Sequence, residues 1–343
     1  MPSKETTIYD IAKVLNVSPA TVSRGLNDHP SIGKKTREKI KEQAREMGYR
    51  SNALASSLRT RRSRTLGVIV PRLNSYFMSA VLAGMEEAAS QAGYHLIIMQ
   101  SFESKQKEKE NTELLFHKQI DGLLVSTSGP STEISHFEYL IDRNIPVVFF
   151  DRPPATRSIQ NHITIDNFEA ARKITDHLIE RGCRNIMHVT GDQNISVYQE
   201  RTRGYRSALN QHHISERQDN IRTTQLNEHD SHQVAEEILN KQQYPDALFI
   251  ANDTSALTIM SHLTKNGIQI PGQIKIAGFN NDPFSSLMMP TLTTINYPGT
   301  EMGIKAVHSI VEKIEHNTPN QINITLDHQL IQRESTKVSN QNK

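Results

Sequence analysis

The stretch "NVSPATVSRGLN", Asn16 to Asn27, places a helix start and a helix outer face within twelve residues. Ser18 is a good N-cap, and Pro19 suits the first helical position, where its missing N–H costs nothing. Asn16 and Val17 interrupt whatever precedes them. A short helix beginning abruptly after a tight turn is therefore predicted. Val22 and Leu26 share its inner face. At about 100° per residue, Ala20 and Arg24 fall on the opposite side, flanked by Thr21 and Ser23. That outer face is short, hydroxylated and basic. Such a surface suits a DNA major groove, because arginine can donate twice to a guanine edge while hydroxyls reach phosphates.

The flanking sequence extends this reading. Upstream, Ile8, Ile11, Ala12 and Leu15 follow the spacing of one helix face. Thr7 with Asp10 resembles a capping box, with Asp in place of Glu. Downstream, a third helix from about Lys34 to Met47 buries Ile40, Ala44 and Met47 and stops at Gly48. Three helices with a tight turn between the first two make a helix-turn-helix unit. Residues 1–64 carry 14 Lys and Arg against 6 Asp and Glu, whereas the remainder carries 25 against 31. A basic head on an acidic body points to a nucleic-acid partner for the head alone. A purely structural three-helix bundle is the alternative, and the charge split together with outward Arg24 weighs against it.

The segment "NALASSLRTRRSR" follows, with Leu54 and Leu58 on one face. A helix of under two turns is marginal in water unless a partner subunit or a groove supports it. Arg59, Arg61, Arg62 and Arg64 can neutralise phosphates.

Beyond residue 64 the chain alternates apolar runs with helical patterns. "TLGVIVP", "HLIIMQ", "DGLLVST", "IPVVFFD", "NIMHVTG", "DALFIAN" and "IKIAGFN" read as strands buried on both faces, which implies parallel doubly wound sheets. Seven such strands call for two sheets. Ligands bind outside the carboxyl ends of such strands. The residues there are polar or aromatic: Arg72, Asn74, Tyr76 and Phe77; Asp151 and Arg152; Asn252 and Asp253; Asn280, Asn281 and Asp282. Asp and Asn can bridge adjacent hydroxyls, and an aromatic ring can cover a ring-shaped ligand. Helix capping is the competing role, and it is expected for Asp253 and Asp282.

At 343 residues the chain is long enough for two or three domains. Its one cysteine, Cys183, excludes an intramolecular disulfide framework and a cysteine-based zinc site. No apolar run approaches the ~18 residues of a membrane span, and "MPSKETTIYD" has no apolar signal core. A cytoplasmic protein with no membrane partner is expected. No Gly-rich dinucleotide fingerprint or phosphate loop follows a strand, and the histidines lack metal-ligand spacing. The expectation is no enzyme, no cofactor and no metal.

"TIYDIAKVLNVSPATVSRGLN" and "TREKIKEQAREMGYRSNALASSLRTRRSRTLGVIVP" closely resemble the LacI/GalR family of bacterial transcriptional regulators. The match continues in order through "DGLLVS", "FFDRP", "FIANDTSALT", "IAGFNNDP" and "PTLTTI". The resemblance implies an α/β chain in three parts. These are a helix-turn-helix head (1–50), a hinge helix and basic linker (51–64), and a bilobed body (65–343) resembling periplasmic binding proteins. It also implies that a helix around 299–316 returns to the first lobe. The implied DNA-contacting set is Thr7, Ser18, Pro19, Ala20, Thr21, Ser23, Arg24, Asn27, Asn52, Ala55, Leu58 and Arg59, with Leu58 matching a minor-groove wedge. The implied effector-binding set is Tyr76, Phe77, Asp151, Arg201, Asn252, Asn280 and Tyr297. Several features depart from the family pattern: Asn280 stands where many members have Asp, Tyr297 where some have Gln and Ser56 where Arg is frequent, Leu226 replaces a frequent aromatic, and the chain has no Trp. The implied function is repression of transcription by a homodimer on double-stranded operator DNA, controlled by a small-molecule effector, a sugar or sugar derivative. A nucleobase or nucleoside effector, or a sugar-binding protein without a regulatory role, are the alternatives.

Overall fold

The computed structural model describes residues 6–49, 62–129, 134–154, 161–217, 219–316 and 321–337. The chain divides into two compact units, 1–63 and 64–343.

The first unit contains α1 (Ile8–Leu15), α2 (Pro19–Leu26) and α3 (Lys34–Glu46). The capping box is present: the Asp10 amide donates to Thr7 Oγ1 at 3.4 Å, and the Thr7 amide donates to the Asp10 carboxylate at 2.8 Å. Asn16 ends α1 in the left-handed conformation, which Asn tolerates better than most residues. Ser18 then caps α2 by accepting from the Thr21 amide at 3.1 Å. Ile11, Ala12, Val22, Ile40 and Ala44 form the core. Gly25 sets the α2–α3 approach, because a Cβ there would lie 2.5 Å from Ile40 Cδ1. A glycine inside a helix costs about 1 kcal/mol relative to alanine, and here close packing offsets it.

The second unit opens with β1 (Thr65–Val70), α4 (Tyr76–Gln91), β2 (His95–Gln100), α5 (Lys105–His117), β3 (Gly122–Val125), α6 (Ser135–Ile141), β4 (Val147–Phe150) and β5 (Asn161–Ile165). A second lobe follows with α7 (Asn167–Glu180), β6 (Ile186–Thr190), α8 (Ser196–Gln211), β7 (Ile221–Thr223), α9 (Glu228–Leu239), β8 (Ala247–Ile250), α10 (Asp253–Lys265) and β9 (Lys275–Ala277). The chain continues as β10 (Thr294–Asn296), α11 (Gly299–His316), β11 (Ile322–Leu326) and β12 (Gln329–Ile331). One parallel sheet has the order β11-β5-β4-β3-β1-β2, and the other β7-β6-β8-β9. β10 and β12 pair antiparallel.

β1, β3, β4, β6 and β8 are buried along essentially their whole length, as their apolar runs predict. β2 departs from that expectation: it forms the edge of its sheet and stays half exposed. An apolar run alone cannot distinguish an edge strand from a central one. Helix α11 does return to the first lobe, packing along α4. Glycines make that crossing possible, since a Cβ at Gly84 would strike the Thr300 carbonyl and one at Gly303 the Val81 carbonyl. Gly204 plays the same part where α8 meets α7, against the Phe168 carbonyl.

Candidate functional site

In the first unit, α2 turns Val22 and Gly25 inward and leaves Ala20 and Arg24 exposed. The Arg24 side chain makes no hydrogen bond or ion pair among the described residues, so its guanidinium is available to an outside acceptor. Ser23 and Pro19 are half-buried beside it. Several other candidates already serve the helix ends. Thr7 and Ser18 are caps, the Ser18 and Thr21 hydroxyls bond each other at 2.9 Å, and Asn27 Nδ2 donates to the Ser23 carbonyl at 2.7 Å. Sequence reasoning passed over Tyr9, which is 69% exposed on α1. Asn52, Ala55, Leu58 and Arg59, with Leu54, lie outside the described residues.

In the second unit, the carboxyl ends of β1, β4, β8 and β9 face a cavity of about 270 Å³ between the lobes. Phe77, Asp151, Arg201, Asn252, Asn280 and Tyr297 all line it. Tyr76 does not; it begins α4, 49% exposed.

Asp151 is held from two sides. Its carboxylate accepts from the Tyr297 hydroxyl at 2.9 Å and from the Ser126 hydroxyl at 3.1 Å. Burial, then the neighbouring Asp151 carboxylate, push the Tyr297 phenol well above its ordinary range, so it stays a donor. The Tyr297 ring stacks on Phe77 with centroids 4.2 Å apart, giving the cavity an aromatic wall.

Arg201 is buried on α8. Its Nε donates to Asn167 Oδ1 at 2.9 Å and its Nη1 to the Ala251 carbonyl at 2.7 Å, while the guanidinium lies 3.6 Å from the Phe279 ring centroid. Burial lowers its pKa. No carboxylate lies within ion-pair distance among the described residues. A buried cation without an anion is costly, so a ligand oxygen placed here would gain a strong partner. Asn167 and Phe279 were not foreseen. Asn167 follows β5, whose "NHITI" has no long apolar run to announce a strand end.

Asn252 has two roles. Its Oδ1 caps α10 by accepting from the Ser255 amide at 2.7 Å, and its Nδ2 points to the Leu226 carbonyl at 3.4 Å. The cap expected at Asp253 is therefore Asn252. Asp253 is instead the first residue of α10, fully buried, and accepts from the Thr294 hydroxyl and the Asp282 amide, both at 2.7 Å. Asp282 stands before the short 3-10 turn Pro283–Ser286 but makes no side-chain capping bond. The expectation missed that the residue before Asp253 already had the right backbone for the cap.

Asp151, Leu226 and Asn280 all have positive φ, at 58°, 52° and 117°. Such conformations cost about 1–3 kcal/mol each in non-glycine residues and cluster where a site must be held in place. All three line the cavity. Beside it, Glu103 accepts from Arg152 Nη1 at 2.7 Å and pairs with Arg72 Nε at 3.1 Å. The cavity therefore presents fixed donors, fixed acceptors and a ring platform. That set suits a ligand rich in hydroxyls, each able to donate and accept.

Among the described residues, no helix is long and apolar enough to cross a membrane, and no group of three or more metal-ligating side chains could hold an ion.

Residues 7–52 match the family described as bacterial regulatory proteins, lacI family, and residues 63–334 match periplasmic binding proteins and sugar binding domain of LacI family. The NTD biosynthesis operon regulator NtdR of Bacillus subtilis (strain 168) is 34% identical over 332 residues, covering 96% of this chain and 99% of that one. A solved lac repressor dimer, bound to operator and the anti-inducer ONPF, shares the fold with a TM-score of 0.86 at 24% identity, covering 97% and 99% of the two chains. The transcriptional regulator CelR in complex with cellobiose aligns with a TM-score of 0.73 at 25% identity, covering 96% and 100%.

Proposed function

Because this chain belongs to the LacI family of bacterial regulatory proteins, and is thus a DNA-binding transcriptional regulator, we propose that it is a repressor whose operator affinity is set by a sugar or sugar derivative. In this reading residues 1–50 read the operator, 51–64 form the hinge, and 65–343 bind the effector and dimerise. The protein works in the cytoplasm and carries out no catalysis. One observation carries the effector assignment: Asp151, Arg201, Asn252 and Asn280 converge with the stacked Phe77–Tyr297 pair on one cavity. A carboxylate, a guanidinium without an ion-pair partner and two amides around an aromatic wall match a polyhydroxylated ring.

The DNA assignment draws on exposed Arg24 beside the half-buried Ser23, with the basic excess of residues 1–64 supplying attraction to phosphate. The dimer assignment draws on Phe284, Leu287 and Met289, which are 62%, 73% and 78% exposed in one short segment. Clustered apolar exposure of this kind commonly marks an association surface.

The test is to sequence genomic DNA retained by the purified full-length chain, with and without a panel of sugars. The expected result is one enriched two-fold-related sequence whose retention changes with a particular sugar. Retention of random fragments would overturn the regulator reading, and a response only to purines would overturn the carbohydrate assignment.

A further inference from the structure

The cavity beside Arg201 does not end at its own walls. A second chamber of about 490 Å³ adjoins it, and Arg72, Tyr198 and Leu226 line both. Small-molecule sites commonly fall between about 300 and 1,000 Å³. The first cavity, at about 270 Å³, is small on that scale, whereas the second lies well within it.

Tyr198, on α8, is the shared partition. Its hydroxyl accepts from Arg152 Nη2 at 3.2 Å, which fixes the ring. Gly191 gives the ring room, since a Cβ there would lie 2.5 Å from it. An aromatic ring that lines both spaces offers apolar carbon surface to a sugar in either.

The second chamber is polar, yet its charges are largely engaged within the protein. Glu103 is paired with Arg72 and Arg152. Asp192 accepts from the Asn194 amide and side chain, both at 2.9 Å, and Asp230 accepts from the Gln225 amide at 2.7 Å. Thr223 and Gln225 add an exposed hydroxyl and an exposed amide to the lining. This chemistry favours hydroxyls over a free ion.

We propose that the effector is a neutral, disaccharide-sized glycoside, with one ring in the cavity beside Arg201 and the second in the adjoining chamber across Tyr198. The proposal rests on the carbohydrate reading and specifies its ligand class.

Calorimetric titration of the full-length chain tests it. The probes are monosaccharides (glucose, galactose, fructose, ribose) and disaccharides built from hexose units (maltose, cellobiose, lactose, sucrose, trehalose). The expected result is one disaccharide binding at least tenfold tighter than either of its constituent sugars. Gln225→Trp, at an exposed position lining only the second chamber, should bring the disaccharide-to-monosaccharide affinity ratio down towards one. A monosaccharide that binds as tightly as every disaccharide would overturn the two-ring ligand while leaving the carbohydrate reading standing. So would an undiminished ratio in Gln225→Trp, with its fold verified by circular dichroism. Binding of no sugar at all would overturn both.

Discussion

The Tyr297 hydroxyl donates to the Asp151 carboxylate at 2.9 Å, joining the segment after β10 to the end of β4 across 146 residues of sequence. Both groups are buried, and the bond gives one Asp151 oxygen its partner. Tyr297→Phe keeps the ring stacked on Phe77 but leaves that oxygen without the donor. Leaving a buried acceptor unsatisfied costs about 1–3 kcal/mol, and more for a charged one. Urea unfolding should show a loss of at least that size, and unchanged stability would show that solvent reaches Asp151.

The Arg24 side chain stands exposed on α2 without a protein partner among the described residues. Arg24→Ala should lose about 1–3 kcal/mol on the cognate operator, with a smaller loss on unrelated DNA. Fluorescence anisotropy on both duplexes measures the difference. Equal losses would mean that Arg24 touches only phosphate.

Arg201→Ala should weaken effector binding by about 2 kcal/mol or more, because a ligand oxygen loses a charge-assisted donor. The same change frees Asn167 and the Ala251 carbonyl, so a fall in thermal stability of the body should accompany it. Operator affinity without ligand should hold. A variant that binds its sugar as tightly as the parent would remove Arg201 from the site.

Burial pushes the Asp253 carboxyl up to about 7, with the nearby Asp282 charge adding to it, and burial alone pushes Asp282 up to about 6. Both folded-state values exceed the unfolded ones. Their contribution to stability is therefore fully present below about pH 4 and lost as pH rises through about 6 and 7. From this pair alone the body should unfold at a lower temperature at about pH 8 than at about pH 5. Asp282→Asn should flatten that dependence, since it removes one titrating group and the like charge acting on Asp253. Scanning calorimetry at the two pH values is the check, and an unaltered slope in the variant would refute the pair's role.

Sedimentation at micromolar concentration should give a dimer. Leu287→Asp combined with Met289→Asp should shift it towards monomer if that exposed segment lies in the contact. A tetramer in the parent chain, or a dimer undisturbed by both charges, would contradict the assignment.

Local chemistry was the most legible part of the sequence. Ser18–Pro19 announced the start of α2, Thr7–Asp10 the start of α1, and Gly48 the stop after α3, because each signal acts within a few residues. Strands buried on both faces declared themselves by composition, whereas half-exposed β5 and three-residue β7 left no such mark. Site residues at strand ends were legible as types but not as partnerships. Arg201 meets Asn167 across 34 residues and Asp151 meets Tyr297 across 146, and nothing in either neighbourhood encodes the other. The residue type of Asp253 suits a cap, as it does at Asn252 one position earlier. Only the backbone revealed that Asn252 already filled the position.

That backbone detail bears on how the pocket can change over time. With Oδ1 of Asn252 committed to the Ser255 amide, the face left for a ligand is its amino group, a donor only. An aspartate at this position would cap α10 equally well and turn the same point of the pocket into an acceptor. One base change in the codon for residue 252 would thus reverse the hydrogen-bond polarity offered to a ligand, keeping the cap of α10 but removing the donor that now faces the Leu226 carbonyl. At this position, diversification of ligand preference costs one contact with the Leu226 carbonyl and spares the helix start.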